Sequence, residues 1–294
     1  MRILSFDTTN NCVSIALLDC ESGVGEKHHQ AENVVSERLF VAAGNERQES
    51  VTLLLPAVDE MLGESGWKKS DLDLIIVGIG PGSFTGIRIG VVTARTLAQA
   101  LNLPLAGVSL LDCYAAKVLE QNKDLSEFAV VLSGGRGHFY FAAYRNALDS
   151  DRATHGVAPT DGNNVALLEV VKPQHGTVVE LNAVLSTSHT WAVEPPLLES
   201  LAVDCANKSL IELPKLDIIA AFQGILGWRR VSLSKSSGTN SLASAGISEE
   251  NGRDATGLRQ SLLNDYPYRI VEPLYLRGAS VTLKGNDGKA TAIT

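Results

Sequence analysis

The residues best suited to chemistry by type and spacing lie in two turns of the N-terminal half. The first, Asp7-Thr8-Thr9-Asn10-Asn11, follows the apolar run Arg2 to Phe6 and precedes Val13 to Leu18. A carboxylate and two hydroxyls at the end of a strand can meet a phosphate. The turn has no glycine to let backbone amides close on one, however, so a purely structural hairpin remains the rival reading. The second turn, Gly78-Ile79-Gly80-Pro81-Gly82, joins the short β-branched run Leu74 to Val77 to a helical pattern running to Leu101. It lacks the lysine of a phosphate-binding P-loop and fails GxGxxG, although a helix N-terminus still attracts an anion. Ser83 or Thr85 is placed to cap that helix.

Other reaction centres find little support. His28 and His29 are adjacent and would point to opposite faces of a strand, and no HxxxH or HExxH occurs. His138 sits in a turn beside Gly137, and Ser83 is not part of GxSxG. Cys12, Cys20, Cys113 and Cys205 form no CxxC pair, which argues against a zinc site or a disulfide framework and for buried thiols. Catalysis by this chain alone is not expected.

The elements that must position these turns follow from periodicity. Strands are predicted at Arg2 to Phe6, Val13 to Leu18 and Val24 to His28, with an irregular segment from Gln30 to Asn45. A helix is predicted over Glu46 to Met61, with Leu54 and Val58 on its apolar face and Pro56 as a kink or a tightened start. Leu74 to Val77 should be a central strand buried on both faces. In the helix that follows, Gly86, Gly90, Ala94 and Ala98 recur every fourth residue and make one face nearly flat. Ile87, Val91, Leu97 and Leu101 form a second, apolar face, interrupted by Arg88, Arg95 and Gln99. Two glycines inside a helix cost roughly 1 kcal/mol each, so another backbone should approach there, from this chain, a second copy or a partner. Leu105 to Val108 is a further strand, and Ser109 with Asp112 resembles a capping box for a helix through Leu119.

Three antiparallel strands followed by helix, strand, helix, strand, helix imply a mixed sheet extended by βαβ crossovers. That is the ribonuclease H-like order, and the repeating unit of the actin, Hsp70 and sugar-kinase superfamily, in which two such units flank a nucleotide. Phe128 to Leu132 and Phe139 to Tyr144 begin a second, reduced set of strands. The expected class is therefore α/β with two ribonuclease H-like subdomains, residues 1–122 and 123–278. Beyond Asn146, a strand at Val178 to Leu185 and helices at Pro195 to Ala206 and Leu216 to Leu226 are predicted. The Ser- and Gly-rich stretch 232–257 reads as a mobile loop and 279–294 as a flexible, frayed tail.

Composition sets outer limits. The 294 residues are 45% hydrophobic and 20% charged, as in a soluble globular protein, and carry a net charge of −8. That balance argues against a chain that grips nucleic acid by itself, because phosphate contacts need clustered Lys and Arg. No apolar run approaches the ~20 residues of a membrane span and no signal pattern opens the chain, so a cytoplasmic location is expected.

The run Gly78-Ile79-Gly80-Pro81-Gly82-Ser83-Phe84-Thr85-Gly86-Ile87-Arg88-Ile89-Gly90 resembles the bacterial TsaB family, also called YeaZ. Ile3 to Thr8, Leu54-Leu55-Pro56, Pro104 to Ser109 and the tail motif Glu272-Pro273-Leu274-Tyr275-Leu276-Arg277 add to the resemblance, which is thin between about residue 145 and the tail. It implies a non-catalytic scaffold subunit of the complex that makes threonylcarbamoyladenosine in tRNA, paired with the catalytic subunit TsaD and joined by the ATPase TsaE. A homodimer is a further expectation for the isolated chain. On this reading no cofactor belongs to this chain, ATP or ADP and a metal sit on the partner or at the complex interface, and tRNA is met only through the complex. The partner interface is expected at Thr85, Gly86, Ile87, Arg88, Gly90, Val91 and Ala94, with Leu54 and Val58 beside them. Asp7, Thr8 and Thr9 remain as a vestigial or interfacial nucleotide contact. The alternative is a stand-alone ATP-dependent kinase-like or glycoprotease-like enzyme of the same superfamily. Departures from the family pattern at Arg47-Gln48-Glu49 and Ser133 to Tyr140 leave room for a divergent paralogue.

Overall fold

A computed structural model describes residues 1–10, 12–20, 32–41, 49–147, 166–205, 207–216, 219–236, 255–276, 281–284 and 290–293. Strands β1 (Arg2–Asp7), β2 (Cys12–Cys20) and β3 (Glu32–Val41) form an antiparallel meander. Helix α1 (Glu49–Glu64), strand β4 (Leu74–Gly80), helix α2 (Phe84–Leu101) and strand β5 (Leu105–Ser109) follow, with β4 and β5 added in parallel. The sheet order is β3-β2-β1-β4-β5.

Helix α3 (Leu110–Gln121) leads to a second sheet of β6 (Glu127–Gly135), β7 (His138–Ala147) and β8 (Ala166–Thr177). Helix α4 (Val178–Val184), strand β9 (Thr190–Val193), helix α5 (Leu198–Asp204) and strand β10 (Ser209–Glu212) complete it in the order β10-β9-β6-β7-β8. The second sheet repeats the first: a three-stranded meander, then two strands in parallel. Helix α6 (Ile219–Ser236), helix α7 (Ala255–Asp265) and the antiparallel pair β11 (Val281–Lys284) and β12 (Ala290–Ile293) end the described chain. This is the actin/Hsp70/sugar-kinase type of α/β fold.

Strand alternation divides the core into layers. Leu4, Phe6, Ile75 and Val77 point to α1 and α2, whereas Ile3, Leu74 and Ile76 point to α6. In the second sheet Phe128, Val130 and Leu132 meet α3, and Ala129 and Val131 meet α4 and α5. Helices α3 and α6 therefore fill the middle layer and touch both sheets. They cross the expected boundary at residue 122: α6, from the C-terminal half, lays Ala220, Leu226, Trp228 and Val231 against the first sheet.

Several sequence expectations are corrected. The third strand lies at Glu32–Val41, inside the stretch expected to be irregular, while Val24 to His28 falls outside the described residues. As an edge strand with Val35, Leu39 and Val41 exposed and a register shift opposite Leu17/Leu18, β3 lacks clean alternation. Val178 to Leu185 is a helix, not a strand, because Thr177 and Glu180 form a capping box and Leu181 and Leu185 are buried one turn apart. The helix predicted to end at Leu226 continues to Ser236. Ser232 to Ser236 and residues 255–257 of the expected loop are therefore helical, and 237–254 lie outside the described residues. The tail expected to fray holds the β11/β12 pair.

Candidate functional site

Strand β1 ends in Asp7, which is fully buried. One of its carboxylate oxygens accepts from Thr9 N at 2.9 Å and Thr9 Oγ1 at 2.8 Å, and the other accepts from Gln223 Nε2 of α6 at 3.0 Å. Burial pushes the Asp7 carboxyl up from its ordinary range, and the Thr9 and Gln223 hydrogen bonds pull against that shift. Gln223 Oε1, also buried, has no hydrogen-bond partner among the described residues. The carboxylate is thus consumed inside the chain, closed off by α6.

The neighbouring turn is sealed by α2. Strand β4 stops at Gly80, whose φ of 104° is a glycine conformation. Ser83, not Thr85, caps α2: its Oγ accepts from Gly86 N at 3.3 Å, while its backbone N donates to Thr9 O at 2.6 Å. Thr8 Oγ1 then donates to Gly86 O at 2.7 Å. A Cβ on Gly86 would overlap Thr8 O, and one on Gly90 would overlap Thr8 Oγ1. The two glycines of the stripe are therefore met by the β1–β2 turn of the same chain, through the Thr8 backbone at Gly86 and its side chain at Gly90.

That packing places most of the expected interface residues inside the chain. Gly86, Ile87, Gly90, Val91 and Ala94 are buried in the chain's own core, as are Leu54 and Val58 of α1. Only Thr85 and Arg88 of the expected set are exposed. The outer edge of α2 instead presents Thr85, Arg88, Val92, Arg95 and Gln99, spaced three and four residues apart on one face. Val92 is 61% exposed, and Leu55 of α1 is exposed as well.

Sequence reading missed three groupings. Arg88 Nε donates to Tyr275 Oη at 3.1 Å, and its guanidinium carbon lies 4.2 Å from the centre of the Phe84 ring. The tail motif was the available signal, but nothing in it names Arg88. Asp112, expected in a capping box with Ser109, accepts instead from Tyr144 Oη and Arg230 Nη1, both at 2.8 Å. Ser109 caps α3 through Leu111 N at 3.2 Å. At the β6–β7 hairpin, Glu194, which follows β9, accepts from Ser133 N at 2.8 Å, and burial raises its carboxyl. There His138 stacks on His175 with ring centres 5.0 Å apart. Among the described residues no three His, Cys, Asp or Glu side chains are grouped to hold a metal ion, and His28 and His29 lie outside them. No described helix is long and apolar enough to cross a membrane.

The chain is 32% identical over 145 residues to the tRNA threonylcarbamoyladenosine biosynthesis protein TsaB of Bacillus subtilis, covering 49% of this chain and 56% of that protein. It is 32% identical over 156 residues to TsaB of Escherichia coli, covering 53% and 59%. The TsaD family model, tRNA N6-adenosine threonylcarbamoyltransferase, matches residues 46–161. YeaZ from Pseudomonas aeruginosa superposes with a TM-score of 0.51 at 20% identity, over 77% of this chain and 90% of that one. The chain is similar to TsaB (YeaZ) proteins over about half its length. The matches span little more than half the length of these two TsaB relatives. A protein described as similar to the peptidase YeaZ matches over 94% of this chain at 19% identity and TM-score 0.51. Both structural likenesses concern the fold. The TsaD match covers the stretch that holds α1, β4, α2, β5, α3, β6 and β7.

Proposed function

We propose that this chain acts in tRNA threonylcarbamoyladenosine biosynthesis as a non-catalytic scaffold subunit that pairs with a TsaD-type protein. The observation that carries the reading is the state of Asp7. In a nucleotide-using member of the superfamily a carboxylate at this strand end would face the ligand, whereas here it is fully buried and held by Thr9 and Gln223. With α2 seated on Thr8 and Thr9, the turn offers a ligand no free carboxylate. The identity with TsaB proteins over about half of this chain supports the pathway. ATP or ADP, the metal and the transfer chemistry then belong to the partner or the assembled complex, with a TsaE-type protein joining it, tRNA met only there, and a cytoplasmic setting.

The partner-facing surface is the exposed edge of α1 and α2, with Leu55, Thr85, Arg88 and Val92, and not the buried stripe beneath it. In the isolated chain the same surface serves a homodimer. Light scattering of the chain mixed with the TsaD-type protein of the same source tests the pairing. A stable one-to-one complex that replaces any homodimer is expected; two species that elute unchanged at micromolar concentrations would sink the proposal.

A further inference from the structure

We propose that Phe84, Arg88 and Tyr275 form a composite anchor on which the partner protein docks a carboxylate, with the C-terminal strap setting the position of the guanidinium. The inference rests on the reading of α2 as the partner-facing helix and names what that helix recognises. Phe84 and Arg88 stand one turn apart on α2, and Tyr275 arrives from 187 residues along the chain. The strap that brings it is pinned throughout. Tyr266 O accepts from Leu105 N at 3.0 Å, Tyr268 packs on the core beneath α2, Val271 is buried, and Leu274 N donates to Ile79 O at 2.8 Å.

At the end of the strap the Phe84 and Tyr275 rings lie 5.0 Å apart at 36°. The Arg88 guanidinium carbon sits 4.2 Å from one ring centre and 5.7 Å from the other. Its Nε–H is given to the Tyr275 hydroxyl, which leaves the N–H groups of both Nη atoms as a planar fork suited to a carboxylate. An arginine held in this way loses less rotamer entropy on binding than a free one.

Charge selects the occupant. Helix α2 has no acidic residue, and among the described residues neither Arg88 nor Arg95 pairs with a carboxylate. Three cations nearer α1 are neutralised: Arg38 by Glu60 and Glu64, Lys69 by Asp59, and Arg2 by Asp71. Two uncompensated arginines flanking exposed Val92 fit a protein surface with a carboxylate among apolar side chains. They are too few for a nucleic-acid backbone, which a chain of net charge −8 would otherwise repel.

The test measures affinity for the TsaD-type protein of the same source by calorimetry, at low and high salt, for the full chain and three variants. Arg88→Met keeps the apolar stem on Phe84 and is expected to weaken binding about thirtyfold, the order of an interface hot spot, and to flatten the salt dependence. Arg88→Lys should recover little, because an ammonium is not a fork. Tyr275→Phe, which keeps both rings and removes only the hydroxyl, should weaken binding about threefold to tenfold with unchanged melting. It carries the test if Arg88→Met melts early. Wild-type binding with Arg88→Met and Tyr275→Phe both unaffected overturns the anchor alone, whereas a wild-type chain that does not bind overturns the functional reading and the anchor with it. Unchanged protein affinity with lost tRNA retention by the complex would also overturn it, in favour of a phosphate contact.

Discussion

Asp7 is the residue on which the functional reading turns, and its environment makes a pH prediction. Because burial raises its pKa in the folded chain, the protonated form is favoured by folding. Its contribution to stability is fully present below the unfolded carboxylate pKa of about 3.9 and is lost as pH rises through the raised folded value. Asp7→Asn removes that titration while keeping a group that can bond Thr9 and Gln223. In urea unfolding at pH 5 and pH 8 the variant should gain on the wild type as pH rises; a constant difference would contradict the assignment. Asp7→Ala should cost about 1–3 kcal/mol at pH 5 and less at pH 8, since it leaves buried donors on Thr9 and Gln223 unpaired while the wild type loses stability as pH rises. Sequence alone singled out Asp7, Thr8 and Thr9, because a carboxylate and two hydroxyls at a strand end are visible locally. It did not reveal Gln223, which comes 216 residues later and decides whether the carboxylate faces a ligand or the core.

Helix α2 shows how an element can be read correctly and its neighbour missed. The glycine turn, the Ser83 cap, the end at Leu101 and the small-residue stripe all follow from local chemistry. A stripe records that something comes close without recording what, and here it is the β1–β2 turn. Gly90→Leu is accordingly expected to melt early, by about 1–3 kcal/mol of overpacking, before any effect on partner binding. A variant that kept its melting temperature but lost its partner would return the stripe to the interface. Between elements, Asp112 ties α3 to β7 and α6 through Tyr144 and Arg230. Asp112→Ala should destabilise the fold by about 2 kcal/mol, less than a fully buried pair because the Arg230 side chain is 35% exposed. Thermal unfolding indistinguishable from wild type would show the tie to be idle. Strand β3 and helix α4 depart from the local pattern for separate reasons. An edge strand needs no strict alternation, and a β-branched run such as Val178-Val179 reads as strand until the Thr177 and Glu180 box is recognised.

Across the whole molecule, two sheets of the same order enclose α3 and α6, with α1 and α2 outside one sheet and α4 and α5 outside the other. The first unit was legible because its strands are long, apolar and separated by clear turns. The second was legible only through β6 and β7: β9 and β10 are four-residue strands, and β8 includes Lys172, Pro173 and Gln174 on a sheet edge. The exchange of α6 onto the first sheet could not be read from periodicity, which reports a buried face and not the sheet it covers. This arrangement leaves Asp7 enclosed and the outer edge of α2 open, the two features on which the proposed scaffold role rests. The decisive measurement is threonylcarbamoyl transfer to tRNA from ATP, threonine and bicarbonate, in a mixture reconstituted from all pathway components and in mixtures that each omit one. The account predicts transfer that requires this chain and no transfer when the TsaD-type protein is omitted. Modified tRNA formed without the TsaD-type protein, or full-rate transfer without this chain, would contradict it.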